Sequence, residues 1–398
     1  MINKGPLSGI KVVDLTAMVS GPAATMYLGD QGADVIKIEP LEGELMRKVG
    51  TNNKGMTNSF LCCNRSKRSL TLNLKDDKGV DILKNLVKEA DVFVQNFRPG
   101  VADRMGLGEK ELRKITPQLI YVSISGFGEN GPYSGQRVYD PIIQALSGLA
   151  DIQRDKETKI PKMVRTIIPD KTTALTAAQA ISSALFYKER HGKGQHIKLA
   201  MIDVMIAYLW PEGSSALSFV GKEGDPTAGQ LGLDLVYKTK DKKYITAGAV
   251  TDKEWLGICN AMDRKDLLVD ERFNTARQRI LHKTERRSAI AEEILKHNAQ
   301  SILERFHKND VPSAPILTRT ELIKNEQVIT NKMIEIHESK HFGKIRAPRP
   351  AAIYSVSPTN GRMLAPLLGE NSYEILEEIG MNDKEIKKLI KEKVISTI

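Results

Sequence analysis

The chain has 398 residues with 59 basic and 49 acidic side chains, a formal net charge of +10. That length exceeds the roughly 250 to 300 residues at which one core stops growing, so two units are expected. The positive balance is spread along the whole sequence, with no zinc finger, RRM signature or basic arm, and this excludes a dedicated nucleic-acid binder.

The start, MINKGPLSGIKVVDL, lacks a charged and then apolar leader, and the longest apolar stretch, LAMIDVMIAYLW, is too short for a bilayer and carries Asp203;. A cytoplasmic protein with no membrane association is expected. Cys62, Cys63 and Cys259 show no C-x-x-C spacing and no neighbouring His cluster, so neither a disulfide framework nor a metal site is expected;.

In chain order, IKVVDLT reads as a strand, GPAATMYLGDQGA as a helix and DVIKIE as a strand, a parallel βαβ unit;. NRSKRS, 64 to 69, is a tight basic cluster that reads as a solvated loop. The alternation repeats as SLTLNL, the helix DKGVDILKNLVKEA, the strand DVFVQNF, a helix around ADRMGLGEKELRKI and the strand LIYVSISGFG. Such a series predicts a doubly wound, Rossmann-like α/β sheet with ligands at the carboxyl ends of its strands. The first turn, TAMVSGPAA, has no G-x-G-x-x-G, which disfavours a nicotinamide enzyme;.

Next comes VRTIIPDKTTALTAAQAISSALFYKERHGKGQ, in which Asp170 stands where a long small-residue helix begins. By residue type it is a helix N-cap. Leu175, Ala178, Ile181 and Leu185 recur at helical spacing and predict one buried face, while the Ala, Ser and Thr content permits close helix packing;. From about 222 the texture changes: GKEGDPTAGQ reads as a loop, and LVYKTKDKKYITAGAV as a hairpin turning near Asp241 and Lys242. The expected division is 1–221 for the large unit, 222–320 for a smaller α+β unit, and 321–398 for a segment without a sheet unit of its own that returns to the large one.

The blocks LSGIKVVDLT, GPAATMYLGDQGADVIKIEP, NRSKRSLTLNLKDDKG, ADVFVQNFRPGVADRMGLG, LIYVSISGFGENGPYSGQRVYDPIIQALSG and ERHGKGQHIKLAMIDV resemble, in this order, the class III CoA-transferases. The likeness covers almost the whole chain. It implies a Rossmann-like large domain and a small domain, two chains interlocked as a homodimer, and CoA as substrate and product with no metal or redox cofactor. It implies transfer of CoA from an acyl-CoA donor to a carboxylic acid through covalent intermediates on Asp170, where the family's nucleophile falls; amides at a helix terminus would keep that carboxylate ionised. The family's CoA contacts fall on Met18, Val19, Leu72, Asn73, Leu74, Lys75, Asn96, Phe97, Arg98, Arg104, Met105, Arg137 and Tyr139, and Lys75, Arg104 and Arg137 suit phosphates. Asp140 is an acyl-site candidate whose ordinary role would be to cap the helix PIIQALSGLA.

Two features narrow the expected chemistry. Val19 and DPTAGQLG differ from formyl-CoA transferases, so a formyl/oxalyl substrate pair is not expected. The rival reading is a 2-methylacyl-CoA racemase of the same superfamily, which shuttles an α-proton between an aspartate and the histidine of a G-H-D motif. Here that motif reads Val138-Tyr139-Asp140, and the proton pair is incomplete.

Overall fold

The structure, a computed structural model, describes residues 4–155, 157–222, 235–359 and 364–397. The chain divides into two compact units, Met1–Tyr208 with Lys332–Ile398, and Leu209–Asn331. The second therefore takes in more of the chain than 222–320.

The first unit carries β1 (Lys11–Leu15), α1 (Ser20–Asp30), β2 (Asp34–Glu39), the short pair β3 (Asn52–Asn53) and β4 (Met56–Thr57), α2 (Asn58–Asn64), β5 (Lys67–Thr71), α3 (Asp77–Lys88), β6 (Val92–Gln95), α4 (Val101–Arg104), α5 (Glu109–Ile115), β7 (Ile120–Ser125), α6 (Asp140–Leu146), α7 (Leu149–Ile152), α8 (Ile168–His191), β8 (His196–Ala200) and α9 (Met201–Leu209). Six strands form one parallel sheet in the order β5-β2-β1-β6-β7-β8. Taken by chain position this is 3-2-1-4-5-6, the doubly wound order, with its switch point between β1 and β6.

Strand alternation separates two cores. Val13, Leu15, Ile36, Ile38, Leu70, Phe93 and Tyr121 face α3, α5 and the C-terminal helices Ser372–Glu378 and Asp383–Lys391. Val12, Val35, Val92, Val94, Val122 and Ile124 face α1 and α8, where Ala23, Ala24 and Leu28 meet Ala174, Ala177, Ala178, Ile181 and Ala184. Small side chains on both helices let their backbones approach closely, as the composition of α8 predicts. Leu175 is a correction: it is 55% exposed, at the edge of the face that Ala178, Ile181 and Leu185 bury.

NRSKRS is a second correction. It forms the end of α2 and the start of β5, and Arg65, Lys67 and Arg68 are all buried. Each meets an aspartate of the first βαβ unit: Arg65 donates to both Asp30 oxygens, Lys67 to Asp14, and Arg68 to both Asp34 oxygens. A buried cation needs such a partner to offset desolvation.

Residues 332–398 do contain a sheet unit, the antiparallel hairpin β12 (Ile334–Ser339) and β13 (Gly343–Pro348). Beyond it the chain covers the edge strand β5. Asn371 Oδ1 accepts from the Ser69 amide, Ser372 Oγ from the Thr71 amide, and the Val394 carbonyl from the Asn73 amide. This satisfies an edge that would otherwise invite strand pairing.

The second unit is α+β. Strands β9 (Tyr237–Lys238), β10 (Tyr244–Ala247) and β11 (Ser313–Pro315) run antiparallel, with Lys242 in the left-handed conformation at the expected turn. The longer helices described in this unit are Asp252–Ala261, Ala276–Leu281, Lys283–Ile294 and Ala299–Lys308; it encloses its own core of Tyr237, Ile245, Trp255, Phe273, Ile302 and Phe306. The segment DPTAGQLG lies outside the described residues.

Candidate active site

The β1–α1 and β6–α4 loops lie side by side at the switch point, and Asn96 ties them together. Its Oδ1 accepts from the Ala17 amide at 2.9 Å and its Nδ2 donates to the Ala17 carbonyl at 2.7 Å. Met18 follows with φ +70°, a conformation costly for a side chain with a Cβ, and Glu44 holds it there by accepting from its amide at 2.9 Å;. The loop ends at Ser20, the first residue of α1.

Asp170 lies against that helix end. It is in the first turn of α8, with Ile167 as the N-cap residue, so it does not cap its own helix. The Ser20 hydroxyl and amide both reach the Asp170 carboxylate and favour its charge. Burial outweighs them, and the negative Asp140 adds to burial, so the Asp170 carboxyl is pushed up to about 6;. This corrects the expectation that helix-terminal amides dominate. At pH 7 roughly nine in ten molecules would still hold it as carboxylate.

Asp140 is the first residue of α6, 2% exposed, and it does not cap its own helix, whose N-cap residue is Tyr139. Its Oδ2 accepts from the Asp170 amide at 3.2 Å, and its Oδ1 from Gln144 Nε2 at 2.6 Å. The site thus sets two carboxyl groups together, one pinned by donors and the other partly buried with raised proton affinity. A carboxylate of raised basicity that ionises near neutral pH can act as a nucleophile or a base.

A cleft of about 240 Å³ opens at the ends of β6 and β7, lined by Asn96, Phe97, Arg98, Gly126, Arg137 and Tyr139 among others. It gathers five of the residues singled out in the sequence. The others lie elsewhere. Leu72 is buried in the sheet core, so only its backbone is available to a ligand, and Leu74 and Met105 pack against the same core. Asn73 Oδ1 accepts from the Lys75 amide, while Lys75 and Arg104 are exposed. Met18 and Val19 pack against the cluster of Met46, Met56, Phe60 and Ala365. Ser20, Glu44 and Gln144 were not singled out by sequence, since no motif marks them. Tyr139, at the position of the racemase histidine, is 61% exposed.

Among the described residues no helix is long and apolar enough to cross a membrane, and no group of three or more His, Cys, Asp or Glu side chains could hold a metal ion.

Comparison with known proteins fits this geometry. The profile described as CoA-transferase family III matches residues 7–372. The chain is 34% identical over 402 residues to the human succinyl-CoA:glutarate CoA-transferase, covering 99% of this chain and 91% of the relative. It is 32% identical to the acetyl-CoA:oxalate CoA-transferase of Acetobacter aceti, covering 94% and 96%. Among solved structures, a CAIB/BAIF family protein from Brucella suis superposes with a TM-score of 0.81 at 30% identity, covering 94% of this chain and 100% of that one. With the doubly wound sheet, the paired carboxyl groups at its switch point and a match over nearly the whole length, the chain belongs to CoA-transferase family III and is a CoA-transferase.

Proposed function

We propose that this enzyme moves CoA from succinyl-CoA to a dicarboxylic acid, with Asp170 as the covalent nucleophile. The observation that carries the mechanism is the placement of Asp170: partly buried, beside the N-terminus of α1, and pushed up to about 6 by burial and by Asp140. The substrate class rests on relatives named for succinyl-CoA with glutarate and, at 29% identity, with L-malate.

Asp170 attacks the thioester carbonyl, the C–S bond breaks, and CoA leaves as thiolate from a mixed anhydride. The thiolate then attacks the Asp170 acyl carbon, the donor acid leaves as carboxylate, and CoA is held as a thioester on the enzyme. The acceptor carboxylate displaces the thiolate to form a second anhydride. Attack of the thiolate on the acceptor carbonyl releases the new acyl-CoA and restores Asp170. One negative charge is conserved throughout. Acylation removes the charge on Asp170, so its repulsion with Asp140 is relieved as the covalent bond forms.

In this reading CoA binds on the loops after β1, β5, β6 and β7, with Lys75, Arg104 and Arg137 toward its phosphates. Support comes from the exposure of all three at the carboxyl ends of the sheet, where doubly wound folds bind nucleotides;. Purified enzyme given succinyl-CoA and a panel of glutarate, malate, oxalate and monocarboxylic acids should yield new CoA thioesters of the dicarboxylic acids by mass spectrometry. In the same assay Arg104→Ala should raise the donor KM roughly tenfold to a hundredfold, because hydrogen bonds to charged groups contribute about 1.5 to 3 kcal/mol. The acceptor KM should not change. A rise confined to the acceptor would put Arg104 at the acid site, and turnover only with monocarboxylic acids would overturn the substrate class.

The working form is an interlocked homodimer. Three helices of the first unit leave large apolar side chains uncovered: Leu175 and Phe186 on α8, Ile142 and Leu146 on α6, and Ile206 and Tyr208 on α9. Apolar surface repeated on neighbouring elements marks an interface, and a second copy is the occupant the family resemblance implies. Sedimentation at low micromolar concentration should give twice the 44.2 kDa chain mass. A stable, active 44.2 kDa species would remove the dimer.

A further inference from the structure

We propose that Gln144 is a positioning residue that decides where the proton of the Asp140–Asp170 pair resides, through one amide that grips both Asp140 and the segment leading into Asp170. The inference rests on Asp170 being the nucleophile, and it deepens that reading.

The orientation of the amide follows from its partners. Val164 N–H can only donate, and it lies 2.9 Å from Gln144 Oε1, so that atom is the carbonyl oxygen;. Nε2 must then face Asp140 Oδ1, at 2.6 Å, and it also reaches the Val164 and Thr166 carbonyls at 3.3 and 3.4 Å. Gln144 is 2% exposed, so water cannot take over these roles. The amide thereby couples α6 to residues 164–166, four positions before Asp170 at the nearest.

The consequence concerns charge. One Asp140 oxygen accepts from Gln144 and the other from the Asp170 amide, so both are committed to accepting, as a carboxylate's are;. Donors on both Asp140 oxygens favour its charged form, and that charge adds to the proton affinity of Asp170;. Other groups facing the pair do not reverse this. The Cys63 thiol of α2 is pushed up to about 11 by burial and feels Asp170, so it is neutral near pH 7. From α8, Lys171 spends its ammonium on Thr166 Oγ1 at 2.6 Å, and Arg165 of the preceding segment is exposed. Ser20 supplies neutral donors.

Two substitutions separate this role from packing. Gln144→Met keeps length and removes the donor to Asp140, so the shared proton can move to Asp140 and Asp170 should ionise at lower pH. Gln144→Glu keeps an acceptor for the Val164 amide but replaces the donor with a third carboxyl group, so Asp170 should ionise at higher pH. The Asp170 carboxyl is titrated by infrared difference against Asp170→Asn in each background, beside the acid limb of donor kcat/KM. The expected midpoints order as Met below wild type below Glu, each step about half a pH unit or more, in both measurements. Infrared midpoints that coincide, with both variants folded by near-UV dichroism, would overturn the role of Gln144. The infrared order without any matching shift of the kinetic limbs would support Gln144 and overturn Asp170 as the nucleophile.

Discussion

Replacing Asp170 by Ala or Asn should abolish CoA transfer, by at least roughly 10⁴-fold in kcat, and should also make the protein more stable at pH 8. The first effect follows from the loss of the covalent step. Wild type incubated with donor should yield an Asp170 adduct trapped by hydroxylamine or borohydride, absent from the variants. The second follows from linkage. The folded Asp170 carboxyl titrates at about 6 because burial and Asp140 disfavour its charge, against 3.8 as its ordinary value. A raised carboxyl contributes stability below the ordinary value, and the contribution is lost as pH rises through about 6. The whole shift corresponds to at most about 3 kcal/mol, and partial exposure of the side chain reduces this to ~1–2 kcal/mol. Melting temperature should therefore rise in Asp170→Asn at pH 8 and differ little at pH 4. The same titration predicts that wild-type donor kcat/KM falls below pH 6. Full transfer by either variant would sink the mechanism; a variant less stable at pH 8 would show that Asp170 is not under electrostatic strain.

How much of this is visible in the sequence depends on the range of the interactions involved. The βαβ alternation is local, and it predicts the sheet because each strand's side chains report their own burial. The basic run at 64–69 is misread for the opposite reason. Arg65 finds Asp30 across 35 positions and Lys67 finds Asp14 across 53, and nothing inside the run announces either partner. Leu175 is misplaced because α8 is apolar on more than one face, so periodicity alone cannot say which face the sheet takes. Asp170 has the residue type of a cap, yet the chain enters α8 three residues earlier, at Ile167, and the carboxylate turns to α1 instead. Family resemblance reached Asp170 and Asp140, whereas Ser20, Glu44 and Gln144 act through backbone amides and carbonyls of distant segments, which leave no residue pattern to read.

The buried ion cluster below the β1–α1 loop should be the most sensitive part of the sheet. Asp14, Lys37 and Lys67 are essentially inaccessible to solvent and lie on one face of β1, β2 and β5. Lys67 spends all three ammonium protons, on Asp14 Oδ2, the Pro22 carbonyl and Asn64 Oδ1, each at 2.8 Å. Burial alone would raise Asp14; Lys67 and Lys37 overcome it and hold Asp14 at about 2. Lys67→Met leaves that carboxylate buried with one counter-ion fewer, which should cost about 3 to 5 kcal/mol. Asp14→Asn combined with Lys67→Met removes charge of both signs and should recover much of the loss, since coupled sites do not add. A depressed carboxyl contributes stability above its ordinary value and loses it as pH falls from about 4 toward 2, the opposite sign to Asp170. The cluster also bears on function, because Asp14 accepts from the Thr16 amide and Lys37 donates to the Thr16 carbonyl, fixing the loop that delivers Ser20 to Asp170. Native-state hydrogen exchange in peptides from β1, β2 and β5 reports this region without assuming that both units unfold together. Lys67→Met should lower protection there by the stated free energy, and the double variant should restore most of it. Protection within 1 kcal/mol of wild type in the single variant would mean that water or a neighbouring group replaces the lost ammonium, and the cluster would then not govern the stability of the sheet.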